Sequence, residues 1–211
     1  DVAAVRSAAI SSLALCPEAK IASVLLHAMK NDPIAQVRAD ACRVSGWLKM
    51  KATAPTCLDL LMSDSDSAVR AQAARAIGRL SYEPACDALV QSLSSSYGPL
   101  RTYAALALGD LNHQAAAVQI ESRAEDTDPH MRAMVIRIST RLKTKACQTI
   151  AIHGLNDKNP GVRATAAVAL MQLAKPEFLS QLKAKSTDPH PEVRARVLDA
   201  ITAIENSRTA T

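Results

Sequence analysis

Apolar side chains recur along this chain with the beat of an α-helix, and the beat itself recurs. After each of a series of Val-Arg-like pairs, Ala, Leu, Val, Ile or Cys fills most places three, four, seven and ten residues beyond the arginine. That spacing is one face of a helix. It is written in "VRADACRVSGWL" (37–48), "VRAQAARAIGRL" (69–80), "LRTYAALALGDL" (100–111), "MRAMVIRISTRL" (131–142), "VRATAAVALMQL" (162–173) and "VRARVLDAITAI" (193–204). With Val5-Arg6 the pair occurs seven times, its arginines stepping by 32, 32, 31, 31, 31 and 31 residues. Between these segments lie others of helical pattern, such as "ACDALVQSLS" (85–94) and "ACQTIAIHGL" (146–155). All ten prolines fall at the joints: Pro33, Pro99, Pro129, Pro160, Pro189 and Pro191 before the Val-Arg segments, and Pro17, Pro55, Pro84 and Pro176 before the others. A first helical turn has no use for the missing N–H, so the pattern predicts seven Val-Arg helices alternating with six partner helices.

The positions two, five and nine residues after each arginine fall together on the opposite side and vary freely. They are predicted to form a row open to solvent. Arg43, Trp47, Arg75, Arg79, Tyr103, Leu106, Met134, Arg137 and Arg141 lie on it, with Asp40 and Asp110 as its acids in the same layers. Arginine and aromatic residues on an otherwise polar surface make binding anchors, each contributing about 2 kcal/mol when a partner buries it. An acidic or phosphorylated peptide would suit such a row.

An aspartate stands six residues before the arginine in five repeats: Asp32 and Arg38, Asp64 and Arg70, Asp126 and Arg132, Asp157 and Arg163, Asp188 and Arg194. Ser95 takes the place in the repeat of Arg101. The spacing crosses the interhelix turn, so each carboxylate is expected to accept from backbone N–H groups at the helix start and from its own repeat's guanidinium. This is a structural ladder marking the joint between layers.

The pattern Asp-Pro-x-x-x-Val-Arg-x-x-Ala-Ala-x-Ala-Leu-Gly-x-Leu, fullest at Val69–Leu80 and Leu100–Leu111, resembles the HEAT-like repeat of the phycobilisome-lyase type. The resemblance covers residues 1–211. It implies an all-α fold, a right-handed α-α superhelix of about seven antiparallel helix pairs forming a single domain, with the Val-Arg helix lining the concave side. The chain opens directly on a Val-Arg helix, so the first repeat is incomplete, and a longer parent chain or a docked partner is expected there.

Composition narrows the chemistry. Apolar residues make up 48% of the chain but aromatic residues only 2%, so the core is built of small side chains. A net charge of +5 makes the protein mildly basic, compatible with acidic partners. The five cysteines (Cys16, Cys42, Cys57, Cys86 and Cys147) are odd in number, without C-x-x-C, and point to a reducing, cytoplasmic compartment. Cys42 falls at a core position, where a thiol acts as a small hydrophobe. No run approaches the roughly 18 apolar residues of a membrane span. Histidines 27, 113, 130, 153 and 190 show neither H-E-x-x-H nor the His-Glu pairs of metal-dependent hydroxylases built on HEAT-like repeats, so no metal, cofactor or catalytic set is expected. Gly46, Gly78 and Gly109 recur eight residues after the arginine, allowing close helix approach. The expected function is a non-catalytic scaffold binding a partner protein or peptide in its concave groove, an acidic partner suiting the charge. Two alternatives stand beside it: a chromophore (bilin) lyase or lyase subunit, as in the resembling family, and nucleic-acid binding along the arginine row, for which aromatic residues are few.

Overall fold

Joints between helices are marked in the chain by proline in many places and by a short polar capping side chain in others. In the computed structural model, which describes residues 2–13 and 18–209, Asp66, Asp128 and Asn159 cap three Val-Arg helices by accepting from first-turn N–H groups. Asp1, Cys16 and Pro17 lie outside the described residues. The described residues form thirteen α-helices and no strand. The Val-Arg helices are α1 (Ala3–Ser12), α3 (Ala35–Trp47), α5 (Ser67–Leu80), α7 (Gly98–Asp110), α9 (Pro129–Arg141), α11 (Pro160–Leu173) and α13 (Pro191–Thr209). Their partners are α2 (Glu18–Asn31), α4 (Ala54–Ser63), α6 (Cys86–Ser92), α8 (Ala117–Glu121), α10 (Cys147–Gly154) and α12 (Leu179–Lys183). The later partners are short, α8 and α12 having five residues each, because single 3-10 turns at Gln114–Ala116 and Pro176–Phe178 take up the start of the segment.

Five Val-Arg helices stop in the same way. The residue eleven places after the arginine turns left-handed, at φ 52° for Lys49, 54° for Ser81, 53° for Asn112 and 51° for both Lys143 and Ala174. In four of them the next N–H then reaches back to close the end, as from Met50 to the Ser45 carbonyl and from Tyr82 to the Ile77 carbonyl. None of the five is glycine.

The chain divides into two compact units, Asp1–Ala116 and Ala117–Thr211. In the first, α1, α3, α5 and α7 pack side by side while α2, α4 and α6 each lean on the Val-Arg helix that follows and touch one another much less. Glycine allows the close side: a Cβ at Gly46 would lie 2.9 Å from the Ala76 Cα, and one at Gly78 2.7 Å from the Ala107 Cα. Leu25, Met29, Ile77, Leu89 and Leu108 fill the core. In the second unit, α9, α11 and α13 are backed by α8, α10 and α12 around Leu155, Leu170, Phe178 and Leu182.

The Asp-Arg ladder exists, but its rungs run between layers. Arg38 does not bond the carboxylate of its own Asp32; its Nη1 donates to the Asp32 main-chain carbonyl at 3.0 Å. Its Nε and Nη2 reach Asp64 of the next layer at 2.8 and 2.9 Å. Arg6 pairs with Asp32, Arg132 with Asp157 and Arg163 with Asp188 in the same two-pronged way. The expected pairing within each repeat is thus corrected: Arg70, Arg132, Arg163 and Arg194 also hold their own repeat's carbonyl, at Asp64, Asp126, Asp157 and Asp188. The reason is geometric. Each acid folds back over its own turn, accepting the N–H two residues on, at Ile34, Asp66, Asp128, Asn159 and His190. That leaves only the carbonyl facing its own arginine. Where Ser95 replaces the acid, Arg70 turns to the Ser67 hydroxyl at 2.7 Å.

The guanidinium hydrogen bonds hold Asp32, Asp157 and Asp188 below the usual carboxylate range. For Asp64, burial pushes the other way and the bonds from Arg38 outweigh it.

Candidate partner-binding face

The predicted open row is set by helix geometry on α3, α5 and α7 of the first unit and on α9 of the second. In the first unit it becomes an interlocked set of guanidinium and aromatic groups. Trp47, at the end of α3, is 58% exposed. Arg43, one turn earlier, lies over its ring at 5.0 Å from the centroid, and Arg79 of α5 approaches the same ring at 5.7 Å. Arg75, one turn before Arg79, lies over Tyr103 of α7 at 4.9 Å and donates from Nη1 to its hydroxyl at 3.1 Å.

Charge along this face is unevenly matched. Arg43 is neutralised by Asp40, to which Nε and Nη2 donate at 3.2 and 3.0 Å, and Nη2 also reaches Ser11 at 3.0 Å. Asp40 accepts from Ser7 and from Gln36 as well. Its burial, which pushes the carboxyl up, is outweighed by these bonds, and the group sits below its ordinary value. Asp40 is therefore a buried hub, where an open position was expected. Arg75 and Arg79 make no ion pair among the described residues. Burial and the like charge of Arg75 both lower the Arg79 pKa. Like charges one turn apart on a helix cost roughly 0.2–0.5 kcal/mol. Arg75 Nε and Gln72 Oε1 are buried without a hydrogen-bond partner.

Arg43, Trp47, Arg75, Arg79 and Tyr103 are thus brought together in one unit, with Leu106 half-buried on α7. Arg137 and Arg141 are exposed on α9 of the second unit. Met134 is a correction: it is 9% exposed and belongs to the core. Met134 has no polar end to keep it in water, and a flexible thioether fills core gaps well. Ser7, Ser11 and Gln36 were not anticipated; the first two stand 33 and 32 residues before their partners, one repeat period, and that offset was the available signal.

The remaining candidate chemistry is structural. Cys42, Cys57 and Cys147 are buried and Cys86 half-buried, all as free thiols. Burial raises the Cys86 and Cys147 thiols above their ordinary values. Among the described residues no group of three or more His, Cys, Asp or Glu side chains could hold a metal ion, and no helix is long and apolar enough to cross a membrane.

Comparison with known proteins gives the same architecture. No curated protein matches the sequence. The CpcE–CpcF complex of phycocyanin lyase from Nostoc superposes with a TM-score of 0.66 at 17% identity, covering 96% of this chain and 90% of that one. A HEAT-like repeats protein from the archaeon Thermococcus onnurineus gives 0.62 at 15% identity, covering 95% and 92%. A designed armadillo repeat protein in complex with the peptide (KR)4 gives 0.63 at 14% identity, covering 85% and 98%. At these identities the likeness is one of fold. The family model for HEAT repeats matches residues 22–109 and 117–202, nearly all of the repeating layers, and the chain belongs to the HEAT repeat family.

Proposed function

We propose that this protein is a non-catalytic scaffold whose first unit binds an acidic protein or peptide across α3, α5 and α7. One observation carries the reading: Arg75 and Arg79, half-buried beside exposed Trp47, make no ion pair among the described residues, while every ladder arginine that has an acid in the next layer of its unit is paired with it. Two arginines without an ion pair, only Asp110 drawing on Arg79 from a distance, are suited to a partner's anionic side chain, with exposed Trp47 supplying contact area at small entropic cost. The designed armadillo protein holds a basic peptide; the sign of the charge here calls for the opposite kind. HEAT repeats are commonly interaction scaffolds, and the stacked layers give such a face rigidity.

The test is capture of partners by the wild-type protein and by a Trp47→Ala/Arg75→Ala double variant that keeps its helical signal. Loss of specific partners from the variant supports the reading. An identical set of captured proteins at identical yield contradicts it. Formation of a coloured adduct on mixing the protein with a bilin and a phycobiliprotein subunit would replace it with a lyase reading.

A further inference from the structure

We propose that the gap in the ladder at Arg70 is a binding site for one carboxylate, held by Arg70 and Ser95 at the joint between α5 and α7. It does not depend on the acidic-partner reading and uses other side chains. The complete rungs show what this place is built to hold. Arg6, Arg38, Arg132 and Arg163 each give Nε and Nη2 to the two oxygens of an aspartate in the next layer, at 2.7–3.1 Å. Arg70 has the same footing: its Nη1 donates to the Asp64 carbonyl at 2.7 Å, as Arg132 Nη1 does to the Asp126 carbonyl at 2.8 Å. In the next layer, however, it meets Ser95, which stands where Asp157 stands for Arg132. Arg70 makes no ion pair among the described residues, and its one further bond runs from Nη2 to the Ser67 hydroxyl. Nε is left without a partner, and Nη2, with two protons, has one to spare. Both atoms belong to one edge of a planar guanidinium, so the donors converge by covalent geometry.

Ser95 does half of the work of the missing acid. In the complete rungs the aspartate folds over its own turn and also presents its oxygens to the arginine. The Ser95 hydroxyl keeps the turn, accepting from the Tyr97 N–H at 3.2 Å, and its own proton is available to an anion. The place is open: Arg70 and Ser95 are half-buried, Arg70 Nε is not enclosed by protein, and the equivalent acids Asp64 and Asp188 are buried.

Neighbouring charges do not fill the gap. Asp64 is taken by Arg38 and the Asp66 N–H, and Asp66 by the Ala68 and Val69 N–H groups. Arg101, the cation beside Ser95, holds the Ser95 and Ser96 carbonyls through Nη1. Arg132 has the same surroundings, with Asp126 and Asp128 at the places of Asp64 and Asp66, and still binds Asp157. A planar carboxylate meets the Nε and Nη2 edge with two parallel hydrogen bonds, as in the complete rungs; a spherical chloride has no such match.

The experiment titrates the full chain with sodium acetate, with sodium chloride at equal ionic strength, and with a capped pentapeptide carrying one aspartate among alanines. It reads the melting temperature and the proton–nitrogen correlation signal of the Arg70 Nε–H, assigned by its loss in Arg70→Lys. The expected result is a saturable rise in acetate beyond that in chloride, about 2–4 °C at roughly four times the half-saturating concentration. The Nε–H signal should move along the same curve. Ser95→Asp, which completes the rung from within, should lose the acetate response. A response to acetate and pentapeptide alike admits an acidic side chain as ligand; a response to acetate alone restricts the site to free small carboxylates. An acetate effect no larger than that of chloride, or one retained in Ser95→Asp, overturns the proposal and leaves the acidic-partner reading untouched.

Discussion

Replacing Asp64 with alanine removes one rung of the interlayer ladder. The carboxylate accepts from Arg38 Nε and Nη2 at 2.8 and 2.9 Å and from the Asp66 N–H at 2.9 Å. Its side chain is 4% exposed and that of Arg38 15%. Losing one partner of a buried pair costs about 3–5 kcal/mol. Arg38 keeps its bond to the Asp32 carbonyl and some access to water, so the lower end, about 3 kcal/mol, is expected for Asp64→Ala. Asp66→Ala is the contrast: its carboxylate caps α5 through the Ala68 and Val69 N–H groups, a loss of about 1 kcal/mol. Urea unfolding followed by circular dichroism measures both, and an Arg38→Ala/Asp64→Ala cycle isolates the pair. A coupling near 2 kcal/mol is expected, against about 0.2–1 kcal/mol for an exposed ion pair. An Asp64→Ala loss below about 1 kcal/mol, no larger than that of a simple cap, would show that the rung is solvated and that the layers are held by apolar packing alone.

Completing the ladder should also be measurable. Ser95→Asp places a carboxylate 25 residues after Arg70, the separation of the Arg132–Asp157 and Arg163–Asp188 rungs, and is expected to raise stability by about 1 kcal/mol; an unchanged urea midpoint contradicts this. Gly78→Ala, although favoured by helix propensity, drives a Cβ to 2.7 Å from the Ala107 Cα and should lower stability by about 1–3 kcal/mol in thermal melts. Ala174→Gly relieves a left-handed alanine and should raise the midpoint by about 1 kcal/mol, a gain that Ala164→Gly within α11 would not share. Acid should loosen the fold in a defined window. Asp32, Asp64, Asp157 and Asp188 have folded-state values below the ordinary one, so their stabilisation is complete above the unfolded value of about 3.9 and disappears as pH falls through the lower folded values. Melting temperature should hold level from pH 7 to 5 and drop below pH 4; a steep fall already between pH 7 and 5 would point to other groups.

The helices were legible because burial along a helix depends on a local period. Val69, Ala73, Ala74 and Ile77 are fully enclosed at the places the beat assigns them, and prolines open α7, α9 and α11. What crosses between layers was harder to read. The partner of Arg38 lies 26 residues away in Asp64, and only the repeat offset, not local spacing, points to it. Lys49, Ser81, Asn112, Lys143 and Ala174 carry no glycine signal, although each is left-handed at the same offset from its repeat's arginine. At the candidate face Trp47 is exposed, while the half-burial of Arg79, the pairing of Arg75 with Tyr103 and the burial of Met134 are not written in the period of a single helix. The step from Arg101 to Arg132 is an unbroken 31 residues, so the spacing carries no sign of the division after Ala116.

The most direct test of partner binding on the first unit is site-specific photocrosslinking. Benzoylphenylalanine placed at Trp47, on the arginine face, is compared with the same group at Met62, which is 68% exposed on α4. A specific adduct from position 47 that is absent from position 62 and disappears on Arg79→Ala is the predicted result. The same adducts in equal yield from both positions would contradict it.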